Sequence, residues 1–154
     1  MAVARSKAVF TFRPSEMPSS VRGTSLGFAH IGTNALIRRI EEGFAFAKLE
    51  KLQSTSGLPL NLLASVIGIP DRTLARRKAA GKLAPEESER LLRIANLYEK
   101  SLELFEGDRQ AAVSWLSSPN KDLGHQTPLA YAKTEIGARE VEDLIGRLEH
   151  GVFS

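Results

Sequence analysis

Apolar residues recur along most of the chain in steps of three and four, the spacing that lines up side chains on one face of an α-helix. The first such run is Leu36, Ile37, Ile40, Phe44, Ala47, Leu49 and Leu52, which predicts one helix starting near Thr33 or Asn34 and weakened locally by Gly43. Gly57 followed by Pro59 is a helix stop. Leu60 to Ile67 forms a short second run that Gly68 closes. Pro70 opens a third, because proline suits a first helical position, and Gly81 ends it. Pro85, Glu86 and Glu87 begin a longer helix, with the acids at the positive end of its dipole. Its apolar stripe is Leu91, Ile94, Ala95, Tyr98, Leu102 and Phe105. Asp108 is placed to cap a short helix ending at Leu116, Thr127 to cap one opened by Pro128, and Thr134 to cap a last helix. That helix carries Val141, Leu144, Ile145 and Leu148 on one face and ends at Gly151. Residues 1–30, with Pro14, Pro18, Gly23 and Gly27, hold no period and read as an arm or loop-rich leader. No run alternates at period two, so the expected fold is all-α.

Composition changes this picture little; the distribution of charge changes it more. The 154 residues are 42% apolar and 25% charged, an ordinary globular balance for one domain or two small ones. With no cysteine, disulfides and thiolate metal sites are excluded, and a reducing cytoplasm is the expected setting. No run approaches the ~20 apolar residues of a membrane span, and the N-terminus lacks the apolar core of a secretory signal. The formal net charge is +3 (21 basic, 18 acidic). Residues 99–154 hold six basic and ten acidic residues, net −4, which leaves 15 and eight, net +7, for residues 1–98. A basic front and an acidic back point to two surfaces with different partners; the alternative is chance segregation in a short chain.

The two short runs around Gly68 have the outline of a helix-turn-helix. Ala64 provides the small residue needed where the helices cross, Gly68 the left-handed turn, and Leu63, Ile67, Ile69 and Leu74 the shared core. The second helix carries Arg72, Arg76, Arg77 and Lys78, with Thr73 between them and Lys82 just past the end. Arg72 and Arg76, four apart, share a face suited to guanine edges in a major groove. Arg77 and Lys78 point elsewhere and suit phosphates. The competing reading is a solvated charged helix, or arginines paired with Glu86, Glu87 and Glu89. Arg77 also stands where many such motifs have an apolar residue, which predicts a variant packing.

More specific are the run Arg72 to Leu83 leading into Pro85-Glu86-Glu87-Ser88-Glu89-Arg90-Leu91, then Trp115-Leu116, Pro119-Asn120, Leu123-Gly124 and Thr127-Pro128-Leu129. The chain closes with Thr134-Glu135, Gly137-Ala138-Arg139, Val141-Glu142 and Arg147-Leu148-Glu149-His150-Gly151-Val152. Together, from about Leu36 to Ser154, these resemble the Xre/MbcA/ParS antitoxin family, and in particular Xre antitoxins paired with RES-domain toxins. The chain departs from the family at Ala130-Tyr131-Ala132, where Asp-Leu-Leu is common. The resemblance implies an N-terminal helix-turn-helix-like domain followed by a small helical toxin-binding domain. It also implies a homodimer that joins its NAD-consuming RES-type toxin in a higher hetero-oligomer and represses its own promoter. The expected division is a leader over 1–30, a DNA-binding domain over 31–98, and a toxin-binding domain with an inhibitory tail over 99–154. Carried onto this chain, the toxin-binding residues are Arg147, Glu149, His150, Gly151 and Val152. Trp115 is added as a core or contact residue, and Phe153 and Ser154 as the rest of the tail. An apolar Val152-Phe153 after a helix stop fits a plug in a pocket; the alternative is a tail folded back or frayed.

Other chemistry finds little support. His30, His125 and His150 are far apart, and no carboxylate pair sits beside any of them at ligand spacing. Ser65, Ser88 and Ser114 lack a nucleophile-elbow context. Asn120 to Gly124 has too few oxygen ligands for calcium and reads as a turn. No catalytic residue, metal or cofactor is expected. The partners expected are operator DNA, a RES-domain toxin and a second copy, the last because the Leu91–Phe105 stripe is wider than a thin helical fold needs. The alternative is a stand-alone helix-turn-helix transcription regulator.

Overall fold

In the computed structural model, which describes residues 23–151, the helical periods become eight α-helices. They are α1 (Thr33–Glu42), α2 (Phe46–Ser56), α3 (Leu60–Val66), α4 (Asp71–Ala80), α5 (Pro85–Leu104), α6 (Arg109–Leu116), α7 (Pro128–Tyr131) and α8 (Glu135–Glu149). Two 3-10 turns, Thr24–Leu26 and Lys121–Leu123, complete the order. Among the described residues, extended pairing is limited to the isolated bridges Ala45–Lys82 and Asn120–Gln126. The all-α expectation holds.

The first predicted helix is two helices. Gly43 takes φ +89° and its amide turns back to the Ile40 carbonyl. Phe44 then accepts from the Leu83 amide at 2.8 Å and gives its own amide to the buried Ser88 hydroxyl at 2.7 Å. The break is therefore imposed by residues forty positions away, which a local period does not report. A Cβ at Gly43 would intrude on the Leu83 carbonyl oxygen, in a backbone region that costs other residues about 1–3 kcal/mol. Gly43→Ala should accordingly lower the melting temperature, by about 2–4 °C for each kcal/mol in a chain of this size. A melt unchanged from wild type would show that the turn relaxes freely.

Helix α5 is the centre of the fold: α1, α2, α6, α8 and the first 3-10 turn all pack on it. Leu91, Ile94, Ala95, Leu97 and Tyr98 are buried, with Leu102 and Phe105 half-buried. The chain's own helices cover most of the stripe, so its width is not by itself a reason for a second copy. Among the described residues, the exposed large apolar side chains are Ile37 and Ile136, at 46% and 79% exposure.

Residues 23–30 also differ from expectation. Leu26 and Phe28 belong to the core, and the Glu99 carboxylate of α5 receives the amide and hydroxyl of Ser25. The leader reading thus fails for this segment; residues 1–22 lie outside the described residues. The proposed division after residue 98 falls inside α5, so the two halves share one helix. The three local caps form as the sequence predicts. Asp108 accepts from Ala111, Thr127 from Ala130 and Thr134 from Gly137, at 3.0–3.1 Å.

Candidate DNA- and partner-binding surfaces

The α3–α4 pair has the build expected of a helix-turn-helix. Leu63, Ala64, Ile67 and Ile69 are buried, Leu74 is half-buried, and Gly68 takes φ +81°. The Ile69 amide reaches the Ala64 carbonyl at 2.8 Å, which fixes the turn. Arg90 of α5 donates to the Ile67 carbonyl at 3.3 Å and closes the end of α3. A residue larger than glycine at position 68 would press on that guanidinium.

Helix α4 has no buried residue, and its main neighbour is α3. Arg72, Arg76 and Lys78 are exposed along it and Lys82 is exposed after it, while Thr73 is half-buried. Among the described residues, none of these four cations has a carboxylate at ion-pair distance. Arg76 donates to the Thr73 hydroxyl at 3.3 Å, within its own helix.

Arg77 does not belong to that free set. Its Nε and Nη2 donate to the two carboxylate oxygens of Glu87 at 2.8 and 3.1 Å, a bidentate pair. The same carboxylate accepts the Ala84 amide at 2.8 Å at the start of α5. Arg77 is therefore a strut between α4 and α5, which corrects its reading as a phosphate ligand and accounts for its place at a normally apolar position. Burial alone would raise the Glu87 carboxyl. The Arg77 and Ala84 hydrogen bonds and the charges of Arg77 and Arg90 outweigh it and hold the group below its usual value. A depressed folded value means stability that is present above the ordinary carboxylate range and lost as pH falls through the folded value. Glu99 acts oppositely: burial raises it, and its cost at neutral pH fades on acidification. Glu87→Gln should therefore melt lower than wild type at pH 7, and the difference should shrink towards pH 3 (on the order of the unperturbed carboxylate range). A difference constant with pH would mean that the pair is not the source.

At the other end of the chain, α8 packs Val141, Leu144 and Ile145 against α5 and leaves Arg147, Glu149 and His150 exposed. His150 closes the helix by bonding to the Gly146 carbonyl, and Gly151 takes φ +67°, the conformation that turns a chain out of a helix. Arg147 and His150 meet Glu142, Asp143 and Gly146 around an open hollow of about 430 Å³. Trp115 is half-buried against the core, so part of its ring is packing. Val152, Phe153 and Ser154 lie outside the described residues. The sequence reading missed Ile136, which projects from the first turn of α8. Its position beside a cap makes it look like any other helical apolar residue.

A helix-turn-helix unit with an exposed basic face, joined through one long helix to a smaller helical module, defines a two-part regulator. Residues 35–96 match the antitoxin Xre-like helix-turn-helix domain, and residues 101–151 match the antitoxin Xre/MbcA/ParS C-terminal toxin-binding domain. The chain is 42% identical to an antitoxin Xre of Yersinia enterocolitica over 77% of its own length and 81% of the relative's. It is 32% identical to an antitoxin Xre of Photorhabdus laumondii over 93% of its length and 98% of the relative's. To an antitoxin Xre of Pseudomonas putida it is 32% identical over 73% and 70%. The chain belongs to the Xre antitoxin family.

Proposed function

We propose that this protein is the antitoxin of a type II pair, acting in the cytoplasm on a RES-domain toxin that consumes NAD. It covers the toxin's active site with its C-terminal module and represses its own operon through α4. In this reading it is a binding protein rather than an enzyme, works as a homodimer, and forms a larger assembly with the toxin. The observation that carries the proposal is the pairing of two unlike surfaces on one chain. One is the exposed set Arg72, Arg76 and Lys78 on a helix with nothing buried, with Lys82 just past its end. The other is the acidic module ending in Arg147, Glu149, His150 and Gly151, which falls within the toxin-binding match. Ile136, exposed within that match, supplies an apolar anchor for a partner. The test is co-purification with the protein encoded beside it, together with a mobility shift on the shared promoter. Both are expected to be positive. A promoter shift with no capture of the neighbour would favour a stand-alone regulator.

A further inference from the structure

Three consecutive segments bring cations together over one aromatic ring. The loop before α1, α1 itself and α2 surround a cavity of about 420 Å³ lined by Phe28, His30, Gly32, Arg39 and Lys48. The Lys48 ammonium lies 4.4 Å from the centroid of the Phe28 ring and the Arg39 guanidinium 5.7 Å from it. Phe28 is itself buried and braced edge-on by Phe44, with centroids 5.2 Å apart, so it is a rigid platform for both. Lys51 follows one turn after Lys48, and both reach towards Gly27. Among the described residues, no carboxylate lies at ion-pair distance from Arg39, Lys48 or Lys51. Burial and repulsion from Arg39 and then Lys51 push the Lys48 ammonium below its ordinary value. Like charges crowded at a concave surface without a counter-charge are relieved by an anion.

The position of the cavity narrows the choice of anion. Helix α2 starts on the turn where Ala45 pairs with Lys82 and the Phe46 amide bonds to the Gly81 carbonyl at 2.9 Å. The cluster thus connects through Lys82 to the C-terminal end of α4. The Phe28 face is covered by the two cations, and the remaining apolar wall is Ala29, Ile31 and Ala35, so charge is the main recognition the cavity offers.

We infer that the Arg39–Lys48 cavity holds a backbone phosphate of the DNA duplex that α4 reads, a contact that adds affinity without sequence preference. The inference rests on the DNA-binding reading above. The full-length chain is titrated by fluorescence anisotropy on promoter and scrambled duplexes from about 50 to 200 mM salt. Arg39→Gln/Lys48→Gln should lose about tenfold on both duplexes and show a salt slope shallower by about one unit, the value for one phosphate contact. Arg39→Lys/Lys48→Arg, which keeps both charges, should retain the wild-type slope. Wild-type affinity and slope in the glutamine pair would overturn the inference. So would a loss confined to the promoter duplex, or a flattened slope in the charge-preserving pair. Failure of the wild type to bind either duplex would instead remove the DNA reading itself, and this contact with it.

Discussion

An antitoxin lacking Glu149–Ser154 is expected to capture its toxin and yet fail to protect the cell. The cut falls at the end of α8, so Val141, Leu144 and Ile145 stay buried, Leu148 remains packed against the core, and the module keeps its fold. In the proposed complex the bulk of the contact surface, from Trp115 to Leu148, is also retained. The removed segment contains the residues proposed to enter the cleft. Gly151 turns the chain out of the helix, and Val152 and Phe153 contribute roughly 1.5–3 kcal/mol each if fully enclosed. In the proposed complex Glu149 would meet basic groups that otherwise hold a dinucleotide phosphate. Arg147 stays in the truncated protein, where in the proposed complex it would pair with an acidic group at the cleft rim. Co-expression of the truncation with the toxin, followed by growth and pull-down, separates the two roles. Full protection by the truncated protein would show that the tail takes no part in inhibition.

The second large effect is expected at α4. Arg72→Ala/Arg76→Ala should weaken promoter binding by at least about thirtyfold, since each bidentate contact to a guanine edge is worth about 1–3 kcal/mol. The loss should fall mainly on the promoter, because both side chains share a face and neither is tied to a carboxylate among the described residues. Lys78→Ala should differ in kind, weakening binding to all sequences and flattening the salt dependence by about one unit. Arg77→Ala should differ again: it strips Glu87 of its strut and lowers thermal stability. Wild-type promoter affinity in the Arg72/Arg76 double variant would remove α4 as the reading helix.

These contrasts show where the sequence was sufficient and where it was not. The caps at Asp108, Thr127 and Thr134 were legible because a cap bonds a backbone amide three residues on, entirely within a local window. The helix-turn-helix was legible for the same reason: Ala64, Gly68 and Ile69 satisfy one turn among themselves. The break at Gly43 was hidden because Ile40, Phe44 and Ala47 continue a helical period through it, while the pairing that imposes it comes from Leu83 and Ser88. For Arg77 the sequence left phosphate and Glu87 as competing partners, because the choice depends on a turn that brings Glu87, ten residues on, back onto α4. Leu26 and Phe28 looked like a leader because two apolar residues among glycines and serines make no period, although the fold uses both as core. The cluster at Phe28, Arg39 and Lys48 joins three segments with no shared motif, so it emerges only once α1 and α2 are in place.

Cellular NAD reports directly on the proposed neutralisation of a RES-type, NAD-consuming partner. NAD is followed after induction of the neighbouring toxin gene alone and together with the full-length chain. NAD should collapse with the toxin alone and stay at its uninduced level when this protein is co-expressed. Equal collapse in both cultures, with the two proteins present in comparable amounts, would contradict it.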